Sequence, residues 1–126
     1  MIRILIVEDE AILRQGFRQS LDFSRLGCQI CGEARNGKEG LALIRQLHPD
    51  IVFTDLKMPV MDGYQATRAI RQLDRPDAGS IPILAMTANA FVEDRRRAYE
   101  AGMNEHLTKP LEPEVVLRTL AKYRSK

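Results

Sequence analysis

The sequence predicts an open, doubly wound α/β sheet of five parallel strands. Three observations lead there. Five short apolar runs alternate with stretches of helical periodicity almost to the end of the chain. Runs such as Ile4-Leu5-Ile6-Val7 and Ile83-Leu84-Ala85-Met86 are apolar on both faces, as a parallel strand covered by helices on each side must be. Acids, a hydroxyl and a lysine stand at the ends of four of the runs, where sheets of this kind bind their ligands.

The expected strands are Ile2–Val7, Gln29–Ala34, Ile51–Thr54, Ile81–Met86 and Glu105–Thr108. The first helix is expected from about Ala11 to Leu21, with Leu13, Phe17 and Leu21 four residues apart on one face. The second opens at Asn36 with Glu39 three residues on, a capping-box spacing, and turns Leu41, Ile44 and Leu47 inward until His48-Pro49 stops it. His48 at that end suits the helix dipole. Asp62 is a good N-cap for a third helix running towards Leu73. A fourth spans about Phe91 to Ala101 and ends at Gly102, a C-cap glycine. The fifth carries Pro113 in its first turn and Val116, Leu120 and Tyr123 on one face. Right-handed crossovers place these helices on both faces of the sheet.

The 126 residues suffice for one domain with one core. An apolar fraction of 44% and a charged fraction of 29% are those of an ordinary soluble globule, and a net charge of +2 does not mark a nucleic-acid binder. No apolar run approaches the roughly 18 residues needed to cross a bilayer. The first run contains Arg3 and passes into acids, so no signal peptide is expected and the location is taken as cytoplasmic. Lys122 to Lys126 reads as the start of a solvated tail, so residues 1–126 are expected to be a single domain, excisable from a longer chain. Cys28 and Cys31 form a single CxxC within a strand. Positions three apart face opposite sides of a sheet, so buried reduced thiols are expected rather than a metal grip.

The chemistry lies at the strand ends. Glu8-Asp9-Glu10 follows the first run and Asp55 closes the third. Side by side, these carboxylates repel one another and favour a divalent cation. Thr87 follows the fourth run and Lys109 the fifth. A carboxylate attacks phosphorus to give an acyl phosphate when its charge is screened and donors meet the phosphoryl oxygens. Mg²⁺ would screen it, with Mn²⁺ an acceptable substitute. Lys109 supplies a point charge, Thr87 a hydroxyl, and the loop after Asp55 backbone N–H groups.

Thr54-Asp55-Leu56-Lys57-Met58-Pro59-Val60-Met61-Asp62-Gly63 resembles the phosphoacceptor loop of response-regulator receiver domains. The resemblance covers nearly the whole chain through Val7-Glu8-Asp9-Glu10, Ala34-Arg35-Asn36-Gly37, Met86-Thr87-Ala88-Asn89-Ala90, Ala101-Gly102-Met103 and Thr108-Lys109-Pro110. Leu21-Asp22-Phe23 and Leu26-Gly27 are most like receivers joined to DNA-binding domains, whereas Thr87 to Phe91 is more like receivers of hybrid histidine kinases. The resemblance implies a flavodoxin-like fold with strand order 2-1-3-4-5. It makes Asp55 the phosphoacceptor. Asp9, Asp55 and the Lys57 backbone carbonyl would bind Mg²⁺, with Glu8 acting through water. Thr87, Lys109 and the backbone N–H groups of Leu56, Lys57 and Ala88 would contact the phosphoryl group. Lys57 and Asn89 would tune its hydrolysis, and the Lys109-Pro110 bond would be cis.

Two departures stand out. The acid pair is Glu8-Asp9 where Asp-Asp is also common. His106 occupies the place of an aromatic switch partner of Thr87, so the switch is expected to be weaker or pH-dependent, unless His106 is simply exposed. The implied partners are a histidine kinase or histidine phosphotransfer protein as donor, and an output domain or protein at the fourth helix, fifth strand and fifth helix. Direct nucleic-acid binding and a membrane are not expected. Arg95-Arg96-Arg97 reads as a solvated helix face. The competing readings are a silent receiver serving as an interaction module and a Mg²⁺-dependent phosphatase with an aspartyl nucleophile. The latter usually has a second acid two residues past the nucleophile, where this chain has Lys57, and a substrate cap for which there is no room.

Overall fold

A computed structural model describes residues 2–20, 27–58, 60–88, 92–109 and 112–124. The elements alternate strictly: β1 (Ile2–Val7), α1 (Ala11–Ser20), β2 (Cys28–Ala34), α2 (Gly37–Leu47), β3 (Ile51–Asp55), α3 (Gly63–Arg71), β4 (Ile83–Thr87), α4 (Val92–Ala101), β5 (Glu105–Thr108) and α5 (Pro113–Arg124). All strand pairs are parallel and the order is β2-β1-β3-β4-β5, so the predicted fold and its strand order hold. The order reverses between β1 and β3, which opens a crevice beyond their carboxyl ends.

Alternation along each strand builds two cores. Ile4, Ile6, Phe53, Leu84, Met86 and Leu107 pack with Phe17 of α1 and with Val116 and Leu120 of α5. Leu5, Val7, Val52, Ile83 and Ala85 pack on the other face with Ile44 of α2, Tyr64 and Ile70 of α3, and Ala98 and Ala101 of α4. Each fully buried aliphatic side chain is worth about 1.5–3 kcal/mol, so the continuous apolar runs are what hold the strands between helices.

Several boundaries shift for local reasons. β4 starts at Ile83 rather than Ile81, because the Ile81 N–H is taken by the Asp77 carbonyl at 2.9 Å and Pro82 has no N–H to give. α3 stops at Arg71, short of Leu73, where Gln72 caps it. Asp62 and Gln65 form a reciprocal capping box at its start. At Asn36 only half of the expected box forms: Asn36 accepts from the Glu39 N–H at 2.8 Å, while the Glu39 carboxylate turns to the Arg35 N–H at 3.3 Å. Gly102, at φ 108°, ends α4 in a Schellman turn, with Met103 N–H on the Ala98 carbonyl at 2.9 Å. His48 is itself the left-handed C-cap of α2, and an Arg75 guanidinium nitrogen lies 2.9 Å from its Nδ1. The Arg75 contact goes beyond the simple dipole role expected of it.

On α1, Phe17 is buried, but Leu13 stays 38% exposed, because the helix rests on the sheet through the Phe17 turn. Leu21 and Phe91 lie outside the described residues. Cys28 is buried in the α1–α5 core, and Cys31 is half-buried at a register shift opposite Ile4/Leu5; the two thiols do not pair with each other. Arg97 is not merely solvated: its guanidinium lies 4.2 Å over the Tyr64 ring and joins α4 to α3. No helix among the described residues is long and apolar enough to cross a membrane.

Candidate functional site

β1 and β3 deliver the acids to the switch-point crevice. Glu8 directly follows β1, and its N–H continues the ladder to the Ala34 carbonyl at 2.9 Å. Its side chain is 2% exposed. Oxygens of Glu8, Asp9 and Glu10 approach within 4.8 Å of one another, and Asp9 and Glu10 are exposed. Asp55 ends β3 at the bottom of a tight loop. The Leu56 N–H donates to Asp55 Oδ1 at 2.9 Å, and the Gly63 N–H donates to the Leu56 carbonyl at 3.0 Å. A side chain at position 63 would collide with the Asp55 carbonyl, so glycine is required for the loop to close. Gly37 is constrained likewise by the Met61 carbonyl, to which its N–H donates at 2.8 Å.

Lys109 connects the two acid positions. Its ammonium is hydrogen-bonded to Glu8 and lies 3.5 Å from Asp55 Oδ1. Its N–H donates to the Thr87 carbonyl at 2.6 Å, so β4 and β5 end at the same level. Thr87 is buried at the end of β4, and Ala88 follows exposed. Lys57 is exposed on the loop after Asp55.

The electrostatics follow from burial. Burial pushes the Glu8 carboxyl up to about 7; the Lys109 bond opposes this, and Asp9 and Asp55 add to it. Lys109 is raised: burial acts against its charge, but the Glu8 hydrogen bond and the Asp55 charge outweigh it. The acids are therefore crowded enough to hold a proton near neutrality where no cation sits between them.

His106 points to the α4 face of the sheet, since its neighbour Leu107 belongs to the α1–α5 core. It is half-buried, not simply exposed, and its Nε2 is buried with no hydrogen-bond partner among the described residues. Burial and then Arg95 lower its pKa, against Asp94. Asn89 and Pro110 lie outside the described residues, so the expected roles of Asn89 and of the Lys109-Pro110 bond have no structural account.

The structure thus brings Glu8, Asp9, Asp55 and Lys109 to one crevice, with Thr87 at its edge. The acid cluster Glu8-Asp9-Glu10 forms as the strand ends predicted, but reading them missed the ion pair of Glu8 with Lys109. Nothing local signals the pair, whose members are a hundred residues apart.

Comparison with known proteins agrees with this geometry. The family model for the response regulator receiver domain matches residues 4–121. The sensor histidine kinase RcsC of Escherichia coli is 39% identical over 120 residues, which are 95% of this chain but 12% of RcsC, so the chain spans about an eighth of that relative. The chemotaxis protein CheY of Thermotoga maritima is 36% identical over 120 residues, 95% of each chain. The receiver domain of a Pseudomonas aeruginosa sensor histidine kinase, solved with a magnesium ion in its active-site cleft, superposes with a TM-score of 0.86 at 30% identity, covering 99% of this chain and 98% of that one. With its fold, its strand order and its acids at the switch point, the chain belongs to the response-regulator receiver family.

Proposed function

We propose that this receiver takes a phosphoryl group onto Asp55 and uses it to bias the surface formed by α4, β5 and α5. The observation that carries this is the Asp55 carboxylate at the end of β3, 3.5 Å from the Lys109 ammonium and beside the acid cluster after β1. A carboxylate oxygen of Asp55 attacks phosphorus in line, forming the O–P bond as the P–N bond of a phosphohistidine donor breaks and the imidazole leaves. The donor is a histidine kinase or a histidine phosphotransfer protein.

The donor set fits a hard divalent cation, being carboxylate oxygens that repel one another without one. Asp9, Asp55 and the Lys57 carbonyl would hold Mg²⁺, with Glu8 behind them; bound there, Mg²⁺ neutralises charge on the transferring phosphoryl group. Lys109 meets a phosphoryl oxygen once drawn from Asp55, and Thr87 and the Leu56, Lys57 and Ala88 N–H groups supply donors. Thr87 and His106 form the switch, with Lys57 and Asn89 setting the lifetime of the phosphorylated form. The domain catalyses only its own phosphorylation and dephosphorylation, works in the cytoplasm, and is one module of a larger signalling chain or assembly.

Intact mass after incubation with acetyl phosphate and Mg²⁺ tests the reading. Wild type should gain one base-labile phosphoryl adduct, and Asp55→Asn none. An adduct of equal yield in Asp55→Asn would reject Asp55 as the acceptor.

A further inference from the structure

We infer that Arg14 is a positioning residue for the acid pair: it clasps the Glu8 carbonyl while anchored on Glu33, and so fixes the peptide from which the Glu8 and Asp9 side chains project. Arg14 stands one turn into α1, and helical side chains lean back towards the helix N-terminus. From there its Nη1 donates to the Glu8 carbonyl at 2.6 Å. Its Nε lies 3.5 Å from Glu33 Oε1 on β2, and Glu33 is also bonded by Arg18. The Arg14 side chain is 15% exposed, against 48% for Arg18.

The clasp falls where the sheet stops holding the chain. The Glu8 N–H still pairs with the Ala34 carbonyl of β2, but on the other side the β1–β3 register ends at Val7 and Thr54. The Glu8–Asp9 peptide therefore lies beyond the ladder, yet the two carboxylates at its ends must keep a fixed spacing to share one cation. Glu8 itself is bonded to Lys109, so the clasp connects Glu33 through Arg14 and Glu8 to the crevice. A plain surface ion pair with Glu33 would contribute little and would leave the acid pair unaffected.

The inference rests on the phosphoacceptor reading above, and the sign of one effect separates positioning from charge. By Coulomb's law alone, removing a cation near three carboxylates should tighten Mg²⁺ binding. Loss of positioning should weaken it, about tenfold for an outer-shell partner. Mg²⁺ alone is titrated into wild type, Arg14→Met, Arg14→Lys and Glu33→Gln, with the metal-free unfolding midpoint and the Asp9 amide ¹⁵N shift recorded for each. Expected are an Arg14→Met affinity about tenfold weaker, partial recovery in Arg14→Lys, and a shifted Asp9 ¹⁵N resonance without metal at a nearly unchanged midpoint. Arg14→Met binding Mg²⁺ as tightly as wild type, or tighter, overturns the inference. If Arg14→Met does not fold, the charge-conserving Arg14→Lys decides, and wild-type affinity in it overturns the inference. Wild type that binds no Mg²⁺ overturns the phosphoacceptor reading as well.

Discussion

At the scale of single residues, Glu8 and His106 set opposite pH dependences. The Glu8 carboxyl is raised in the folded chain from 4.5 to about 7 by burial. Its contribution to stability is then fully present below pH 4.5 and lost as pH rises through about 7, a few kcal/mol in all. Urea midpoints without metal should fall across that window, and Glu8→Gln should flatten the slope. His106 is lowered from 6.5 by burial and Arg95, so its contribution is present above pH 6.5 and lost as the medium turns acid. The imidazole is therefore favoured in its neutral form at pH 7, and any pH sensitivity it confers lies on the acid side. Following the His106 ring by NMR should give a midpoint below 6.5 that moves when a phosphate mimic occupies the site. An unmoved midpoint and ring environment would remove His106 from the switch. Val60 shows a different kind of tension: this β-branched residue sits at φ 70° and is 76% exposed on the loop after Asp55. Nothing in the structure explains the choice of valine there.

At the scale of elements, two arginines join pieces that the sheet does not. Arg71, at the end of α3, donates to the Gly102 carbonyl at 3.0 and 2.7 Å, to the Ala78 and Ile81 carbonyls at 3.1 and 2.8 Å, and to Asn104 Oδ1 at 2.9 Å. Asn104 in turn accepts the Ile83 N–H at 2.9 Å, so one guanidinium organises the entries to β4 and β5. Arg75 ties the same polar loop to α2 through the Ile44 carbonyl at 2.9 Å. Arg71→Met leaves several half-buried acceptors without their donor and should cost about 3 kcal/mol in urea unfolding. Because this network lies at the opposite edge of the sheet from Asp55, the phosphoryl adduct should still form in the folded variant. Loss of the adduct at undiminished stability would show that the network reaches the site.

At the scale of the whole molecule, a divalent cation should act as a folding ligand, because the acids converge only when β1 and β3 are paired. Mg²⁺ at a hundred times its dissociation constant should stabilise by about 2.7 kcal/mol. The gain should grow as pH rises through about 7, since the cation competes with the proton on Glu8, and chelation should reverse it. Thermal unfolding with and without Mg²⁺ at pH 6 and pH 8 checks both points. The convergence also explains what could be read without a structure. Five two-sided apolar runs separated by helical periodicity leave a parallel sheet little alternative, and Asp62, Gly102 and Pro113 punctuate it through purely local chemistry. Strand ends in such a sheet share one edge, so Glu8, Asp9, Asp55, Thr87 and Lys109 were legible as a group before any distance was known. Their pairing was not. That Lys109 is bonded to the buried Glu8, that Arg14 reaches back to the Glu8 carbonyl, and that His106 lies on the α4 side beside Arg95 and Asp94 depend on which side chains meet across strands. Sequence by itself determined the fold and the edge where the chemistry lies, because periodicity and caps are local. Only the tertiary structure decided who neutralises whom, because charge pairing and burial depend on distances between residues far apart in the chain.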